Sequence, residues 1–173
     1  ADTFAPLFAG AATADQAEAV RQTLPRLERR GGLMASELVG SPHQWDGTNG
    51  WAPLQAMAIE GLMRYGYVDD ARRLADKWVR AVASTYADGG SMYERLDVET
   101  LKRPPDDPHK YATQEGFLWT NGSFAWAMVD VLGHALVPRV GEANNDSVRH
   151  RASPSRAQGA GSSSSMTPQI PMR

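Results

Sequence analysis

Two amphipathic segments separated by a very short turn are the feature that most constrains the fold of this chain. The first segment begins at Pro53, a residue that suits the first turn of a helix. Its apolar side chains recur at helical spacing, at Leu54, Met57, Ala58, Gly61, Leu62 and Tyr65. After a stop at Gly66, the second segment has an apolar face of Ala71, Leu74, Ala75, Trp78, Val79, Val82 and Tyr86. We expect Asp69 or Asp70 to cap this second helix. The short turn predicts an antiparallel helical hairpin.

Further helices are predicted on both sides of this hairpin. Thr13 to Gln16 has the Ser/Thr-x-x-Glu/Gln form of a capping box, which predicts a helix to about Leu24 that Pro25 kinks or restarts. Another helix is expected to begin after Asn121 and Gly122, with an apolar side formed by Ala125, Met128, Val129, Leu132 and Leu136. The repeated helix–loop–helix order predicts an all-α fold, built as an array of antiparallel helical hairpins.

The last part of the chain differs in composition from the rest. Beyond about Arg139 the sequence is rich in Ser, Pro, Gly, Asn and charged residues, and large apolar side chains are scarce. Such a composition does not bury enough apolar surface to fold. We therefore predict a helical domain over residues 1–138 and a disordered Ser/Pro-rich tail over residues 139–173.

Composition and motif content argue against several functions. The net charge is −2 and the basic residues are scattered, so nothing indicates a nucleic-acid partner. No apolar run approaches the roughly 20 residues that span a bilayer, so no membrane segment is expected. The chain has no cysteine, and its four histidines lack ligand-like spacing, so no metal site is expected. Phosphate-binding glycine motifs and GxSxG are absent, so neither a nucleotide cofactor nor a serine triad is expected.

The direction of the helices predicts that three loops meet at one end of the stack. The loop 44–51 enters the first helix of the hairpin, and the second helix returns to deliver residues 92–97 to the same end. The loop 114–122 then enters the next helix, which we expect to run in the first direction again. All three loops carry aromatic and polar side chains, so we predict a pocket on this rim.

The first loop has the densest set of side chains that suit a sugar. Trp45 and Trp51 offer aromatic faces for the C–H face of a pyranose, and Asp46 and Asn49 can bond its hydroxyls. The residue types also fit a simpler interpretation. In that interpretation the loop is a turn before a helix, with Asn49 near the N-cap and both indoles in the core.

The residues of the other two loops also fit either a catalytic or binding role or a purely structural one. Glycoside hydrolysis needs paired carboxylates, and the second loop offers Glu94, although a carboxylate followed by Arg95 is often a surface ion pair. In the third loop Phe117 and Trp119 can form the wall of a pocket or belong to the core, and Thr120 or Asn121 can cap the following helix.

Taken together, these segments resemble the trehalase family of glycoside hydrolases. Residues 44–55, QWDGTNGWAPLQ, look like the family's QWDxPNGWxPLQ signature, and residues 94–98, ERLDV, stand where the family has EKYDV. Tyr111, residues 114–117 and residues 119–122 look like its EYxxQxGFGWTNG segment. The resemblance covers about residues 4 to 133, in order and with sensible spacing.

This resemblance implies both an architecture and a reaction. The family has an (α/α)6 barrel, hydrolyses α,α-trehalose to two glucoses with inversion at the anomeric carbon, and uses no cofactor. It implies that Glu94 is the general base for the attacking water. It also implies a sugar pocket lined by Trp45, Asp46, Asn49, Trp51, Phe117 and Trp119. For the full-length protein it favours a monomer, and the Ser/Pro-rich tail favours the periplasm over the cytoplasm.

Departures from the family pattern predict changes in activity. The family's general acid is an Asp in an earlier part of the barrel, and twelve helices with their connections need roughly 200 residues at minimum. We therefore expect this chain to be the C-terminal part of such a barrel, inactive alone. Lys110 stands where the family has a substrate-contacting Glu, after residues 101–109 that replace a glycine-rich lid. The alternatives are an α-glucosidase for another disaccharide, or a non-catalytic sugar-binding relative.

Overall fold

The computed structural model describes residues 1–108 and 110–135, which form helices joined by two short strand pairs. A 3-10 helix at Asp2–Phe4 precedes the α-helices α1 to α3, and α4 and α5 follow as long helices. Helix α6 runs directly into a π-helix. The elements are the 3-10 helix Asp2–Phe4, α1 Ala5–Phe8, α2 Ala14–Arg21, α3 Leu24–Leu27, β1 Glu28–Arg29, β2 Gly32–Leu33, β3 Asn49–Trp51, α4 Ala52–Arg64, α5 Val68–Gly89, β4 Arg95–Asp97, α6 Leu118–Trp126 and the π-helix Ala127–Val131.

The predicted hairpin of α4 and α5 is confirmed. Pro53 lies in the first turn of α4, where its missing N–H leaves no bond unmade. Gly66 takes a positive φ of 82° at the turn, a conformation that other residues adopt at a cost. The predicted cap of α5 is wrong. Tyr67 is the N-cap, and Asp69 and Asp70 lie in the first turn, where their charge still favours the positive end of the helix dipole.

The N-terminal helices pack against α4. Thr13 and Gln16 form the predicted capping box, and α2 ends at Arg21, slightly earlier than predicted. The predicted restart is confirmed, since the short helix α3 begins at Leu24 with Pro25 in its first turn. At the contact with α1, Gly61 of α4 lies so close that a Cβ there would be 2.8 Å from the Cβ of Leu7. The absence of a side chain at Gly61 therefore sets how closely the two helices approach.

The short strands are a departure from the all-α prediction. Strands β1 and β2 pair antiparallel, and so do β3 and β4, with Asn49 opposite Asp97 and Trp51 opposite Arg95. Strands of two or three residues are too short to show an alternating pattern in sequence. They order the loops of a mainly helical fold, and the complete (α/α)6 barrel stays a prediction.

Helix α6 begins earlier than its sequence suggests. Phe117 is its N-cap, so Thr120 and Asn121 lie inside the helix and the prediction that one of them caps it is wrong. The π-helix adds one residue to a turn and shifts the buried face. Ala127 and Val131 are fully or almost fully buried as a result, whereas Ala125, predicted on the apolar side, is exposed.

The core lies between the hairpin and the segments around it. Its largest fully buried side chains are Trp51, Trp78, Phe4, Leu7, Leu33, Ile59, Leu62, Leu74, Leu96, Gln55, Val82 and Val98. In the part of the chain that the structure describes, no helix is both long enough and apolar enough to cross a membrane. Leu136, the boundary at residue 138 and the predicted tail lie outside the described residues.

Candidate active site

The three motif loops lie together, as the helix directions predicted. Strand β3 in the first loop pairs with β4 in the second. The third loop joins them through a bridge between Tyr93 and Glu115 and a 2.8 Å hydrogen bond from the Glu94 N–H to the Gln114 carbonyl. The backbone therefore fixes the relative positions of all three loops.

Four aromatic rings from the first and third loops form a cluster at this end of the fold. The rings of Trp45 and Trp51 stack with centroids 4.0 Å apart and an interplanar angle of 7°. Trp119 meets both edge-on, at centroid distances of 6.4 and 5.9 Å. Phe117 packs on Trp119 at 4.6 Å. Such stacked and edge-to-face contacts stabilise the rings as a rigid wall.

The rings of this wall differ in their access to a ligand. Trp51 is fully buried, with its Nε1 donating to the Gln44 carbonyl at 3.1 Å. Trp45 is 47% exposed, so one face rests on Trp51 while the rest of the ring is open. Trp119 is partly buried. Trp51 lies behind Trp45, on the side away from solvent. Sugar contacts by these three indoles stay predictions.

A cavity of about 310 Å³ opens beside Trp45. Side chains of the first loop and of the segment before the third loop line it: Pro42, His43, Gln44, Trp45, Lys110 and Tyr111. The buried Oε1 of Gln44 makes no hydrogen bond to any described residue. The cavity thus combines the open face of Trp45 with the polar side chain of Gln44.

Glu94 lies at the edge of the aromatic cluster and is 4% exposed. Its Oε1 accepts a 3.2 Å hydrogen bond from the Tyr111 hydroxyl, and its Oε2 is buried without a partner among the described residues. Its main-chain carbonyl accepts a 2.8 Å bond from Trp119 Nε1. The carboxylate is therefore hydrogen-bonded at one of its two oxygens among the described residues.

The charged neighbour of Glu94 is also buried. Arg95 donates from Nη1 to Asn49 Oδ1 at 2.6 Å, and its guanidinium lies 5.7 Å from the centroid of the Trp51 ring. Burial lowers the pKa of Arg95, and the charges of Glu94 and Asp46 partly oppose that shift. Arg95 is therefore a fixed positive group inside the site, and not a member of a surface ion pair.

Asp46 and Asn49 use their polar atoms to order the first loop. Asp46 Oδ2 accepts from the Ser41 N–H at 2.9 Å, and Asn49 Nδ2 donates to the Asp46 carbonyl at 3.0 Å. Since Asn49 Oδ1 is held by Arg95, both side chains are engaged within the protein. Asn49 lies in β3 and does not cap α4, whose N-cap is Trp51. Their predicted sugar contacts remain untested.

Lys110 packs against the first loop. Its ammonium group donates to the His43 carbonyl at 3.1 Å and lies 3.8 Å from Asp46 Oδ1, and its side chain is only 17% exposed. Lys110 and Asp46 are both predicted to contact the substrate, and they form an ion pair with each other. Because both side chains are largely buried, salt screens this pair less than it screens an exposed ion pair.

Asp97 is engaged in shaping a turn. One oxygen accepts from the Thr48 hydroxyl at 2.7 Å, and the other accepts the N–H groups of Glu99 and Thr100. Among the described residues, no group of three or more His, Cys, Asp and Glu side chains could hold a metal ion.

Sequence reasoning missed one direct partner of Glu94. Tyr111 belongs to the third motif, but the sequence does not predict it to be a site residue. Tyr111 lies in a different segment from Glu94, and only tertiary structure brings the two together. No spacing pattern in the sequence could therefore indicate this contact. The hydroxyl contact became visible only with the fold.

A buried carboxylate next to a wall of indoles, on loops held by a helical hairpin, has the chemistry of a carbohydrate-binding site. Comparisons with known proteins agree with that class. The family model described as Trehalase matches residues 1–132. This chain belongs to the trehalase family.

Its relatives include enzymes from bacteria and fungi. A periplasmic trehalase of Xanthomonas oryzae pv. oryzae is 39% identical over 117 residues, which cover 68% of this chain and 20% of that protein. A cytosolic neutral trehalase of Neurospora crassa is 36% identical over 157 residues, covering 78% of this chain and 21% of that protein. The solved neutral trehalase of Saccharomyces cerevisiae matches with a TM-score of 0.59 and 35% identity, over 72% of this chain and 22% of that one. The chain spans about a fifth of the length of these relatives.

Proposed function

We propose that the protein containing this segment hydrolyses α,α-trehalose to two glucoses with inversion, and that Glu94 is the general base. The observation that carries the proposal is the Glu94 carboxylate, which is buried at the edge of the aromatic wall with Oε2 unpartnered among the described residues. A carboxylate in this state can accept a proton from a water held between it and a sugar. The names of the family relatives supply the substrate class.

In this reaction the oxygen of water attacks the anomeric carbon of one glucose, a proton of that water passes to Glu94 Oε2, and the glycosidic C–O bond breaks. The leaving oxygen takes a proton from a carboxylic acid roughly 6.5–9.5 Å from the base, as inverting enzymes require. We expect that acid in the part of the relatives' length that this chain does not span. Residues 1–173 alone are therefore expected to bind sugar weakly and not to turn it over.

The test is Glu94→Gln in the full-length protein. The amide keeps the shape of the side chain but cannot accept the proton, so we expect kcat to fall by about 10²- to 10⁴-fold. The affinity for trehalose, followed by tryptophan fluorescence, should stay largely intact because Trp45 and Trp119 are unchanged. Glu99→Gln is the matched control, since its carboxylate is 50% exposed and pairs with Arg29 away from Glu94. Near-normal turnover in Glu94→Gln refutes the assignment.

The anomeric form of the products tests inversion. Attack with inversion on an α,α-linked disaccharide releases one glucose as the β-anomer and the other as the α-anomer. Proton NMR within the first minutes of reaction, before mutarotation, should therefore show the two forms in equal amounts. Release of α-glucose only would indicate retention and a different role for Glu94.

A second candidate is a related α-glucosidase for another disaccharide, or a sugar-binding relative without turnover. The ion pair between Lys110 and Asp46 favours it, because it places a cation where the family resemblance implies an acidic substrate contact. Assays of the full-length protein with trehalose, maltose and kojibiose separate these readings. Activity on maltose but not on trehalose would refute the first proposal. Lys110→Glu should then increase turnover of trehalose.

The compartment is also a proposal. Curated relatives include trehalases named as periplasmic and as cytosolic. We propose the periplasm, with the cytoplasm as the alternative, and fractionation of the source cells tests it. We also propose that the full-length protein is a monomer, which light scattering tests.

A further inference from the structure

We infer that Tyr111 is a positioning residue for Glu94, whose hydroxyl holds one carboxylate oxygen so that the other faces the attacking water. This inference rests on the proposed role of Glu94 as general base. It assigns to Tyr111 a task that acts through another residue and involves no direct proton transfer to the substrate.

The hydrogen bonds around Glu94 divide into backbone and side-chain contacts. Its backbone is fixed on both sides, by the bond from its N–H to the Gln114 carbonyl and by the bond from Trp119 Nε1 to its carbonyl. Neither contact sets the rotation of the carboxylate about its own side-chain bonds. Among the described residues, the Tyr111 hydroxyl at 3.2 Å is the hydrogen-bond donor to the carboxylate. The orientation of Oε2 therefore depends on Tyr111.

Tyr111 is itself held from the opposite side. Its carbonyl accepts a 2.6 Å hydrogen bond from Gln44 Nε2, and the preceding residue, Lys110, binds the His43 carbonyl and Asp46. These contacts attach the segment 110–111 to the first loop. The ring of Tyr111 is 52% exposed, yet its hydroxyl reaches inward to the carboxylate. A fixed main chain with an inward hydroxyl is the geometry of a support for another side chain.

The surrounding charges keep the phenol in its donating form. Burial of the hydroxyl raises the pKa of Tyr111, and the charge of Glu94 and the hydrogen bond to it act in the same direction. The positive charge of Arg95 opposes them without reversing the shift. The hydroxyl thus stays protonated well above neutral pH and donates whenever Glu94 is ionised.

The first test needs no enzymatic activity. The chain labelled with tyrosine carrying ¹³C at Cζ is titrated by NMR, and Tyr111→Phe assigns the resonance. Glu94→Gln should lower the pKa of Tyr111 toward its ordinary value, because the negative charge beside the phenol is removed. An unchanged pKa of Tyr111 in Glu94→Gln refutes the contact, whatever reaction the protein catalyses.

The second test measures turnover of trehalose by the full-length protein. Tyr111→Phe should reduce kcat by about 10- to 100-fold, as misplacement of a catalytic group does, while KM changes by less than about threefold. Tyr86→Phe is the matched control, since Tyr86 is also 52% exposed but lies on α5. A rise in KM as large as the fall in kcat would indicate that Tyr111 contributes to sugar binding and would overturn the inference.

The double variant separates the two proposals. If Tyr111 acts only through Glu94, Tyr111→Phe should cause no further loss in the Glu94→Gln background. A full further loss would overturn the positioning role. If Glu94→Gln alone keeps near-normal turnover, the proposed function fails. If Glu94→Gln is inactive but Tyr111→Phe is fully active, only the positioning role fails.

Discussion

The side-chain amide of Gln55 makes two hydrogen bonds to one buried peptide segment, and removing them should destabilise the fold measurably. Its Oε1 accepts from the Leu33 N–H at 2.8 Å and its Nε2 donates to the Leu33 carbonyl at 2.6 Å. Gln55 is 1% exposed and Leu33 is fully buried, so water cannot replace these bonds. Gln55→Leu keeps the volume and leaves both backbone groups unpaired.

The expected magnitude follows from the two orphaned groups. Each costs about 1–3 kcal/mol, or about 2–6 kcal/mol together. Burial of the leucine side chain recovers about 1.5–3 kcal/mol. The net loss in the free energy of unfolding is therefore roughly 2 kcal/mol, measured by urea denaturation of the chain. Gln22→Leu, at an exposed position, is the control and should change it by less than about 0.5 kcal/mol.

A second substitution at the same position tests the reasoning from another direction. Gln55→Glu keeps an acceptor but buries a charge and loses the donor to the Leu33 carbonyl. Burial should raise the pKa of the new carboxyl, so its protonation as pH falls should restore a donor and reduce the loss of stability relative to the native chain. If Gln55→Leu is as stable as the native chain, or if the loss in Gln55→Glu is independent of pH, the argument from orphaned backbone groups is wrong.

Two further predictions concern the scaffold. Gly61→Ala should lower the free energy of unfolding by about 1–3 kcal/mol, because its Cβ would lie 2.8 Å from that of Leu7. In the same denaturation experiment Gly122→Ala should raise the free energy of unfolding by about 0.5–1 kcal/mol, because Gly122 lies in α6 with open space around its Cβ position. Burial opposes ionisation of Glu28, but hydrogen bonds from Arg73 and Lys77 outweigh it and lower its pKa. The contribution of Glu28 to the free energy of unfolding is thus present above the ordinary pKa of glutamate, and it is lost as the pH falls through the lowered pKa of Glu28. In Glu28→Gln the melting temperature should therefore fall less than in the native chain as the pH is lowered. If the melting temperature of the variant depends on pH as that of the native chain does, the stabilising role of Glu28 is contradicted.

The sequence predicted the helical hairpin and the convergence of the three loops because both follow from long-range regularities. The apolar spacing from Leu54 to Tyr65 identifies α4, and a short turn at Gly66 leaves one direction for α5. The start of α6 could not be predicted, since Phe117 caps it without a side-chain hydrogen bond. The π-helix and the short strands have no pattern of their own and depend on tertiary contacts.

Within the candidate site, residue types indicated which side chains matter but not how they face each other. Trp45 and Trp51 occur in one motif, yet one is half exposed and the other lies behind it. Arg95 suggested a surface ion pair and instead lies buried against Asn49. The Tyr111 contact joins segments 17 residues apart in sequence, and only packing brings them together.

Trp119 links the aromatic wall to the backbone of Glu94, because its ring packs on Trp51 while its Nε1 donates to the Glu94 carbonyl. A substitution at Trp119 therefore cannot be interpreted as a change in sugar affinity alone, since it also removes one of the two hydrogen bonds that fix the Glu94 backbone. Evolution faces the same coupling. The ring surface cannot be remodelled for a new sugar without disturbing Glu94, the residue that we propose as the general base. New specificity is more accessible at Lys110, whose side chain lines the cavity and contacts the first loop through the His43 carbonyl and Asp46.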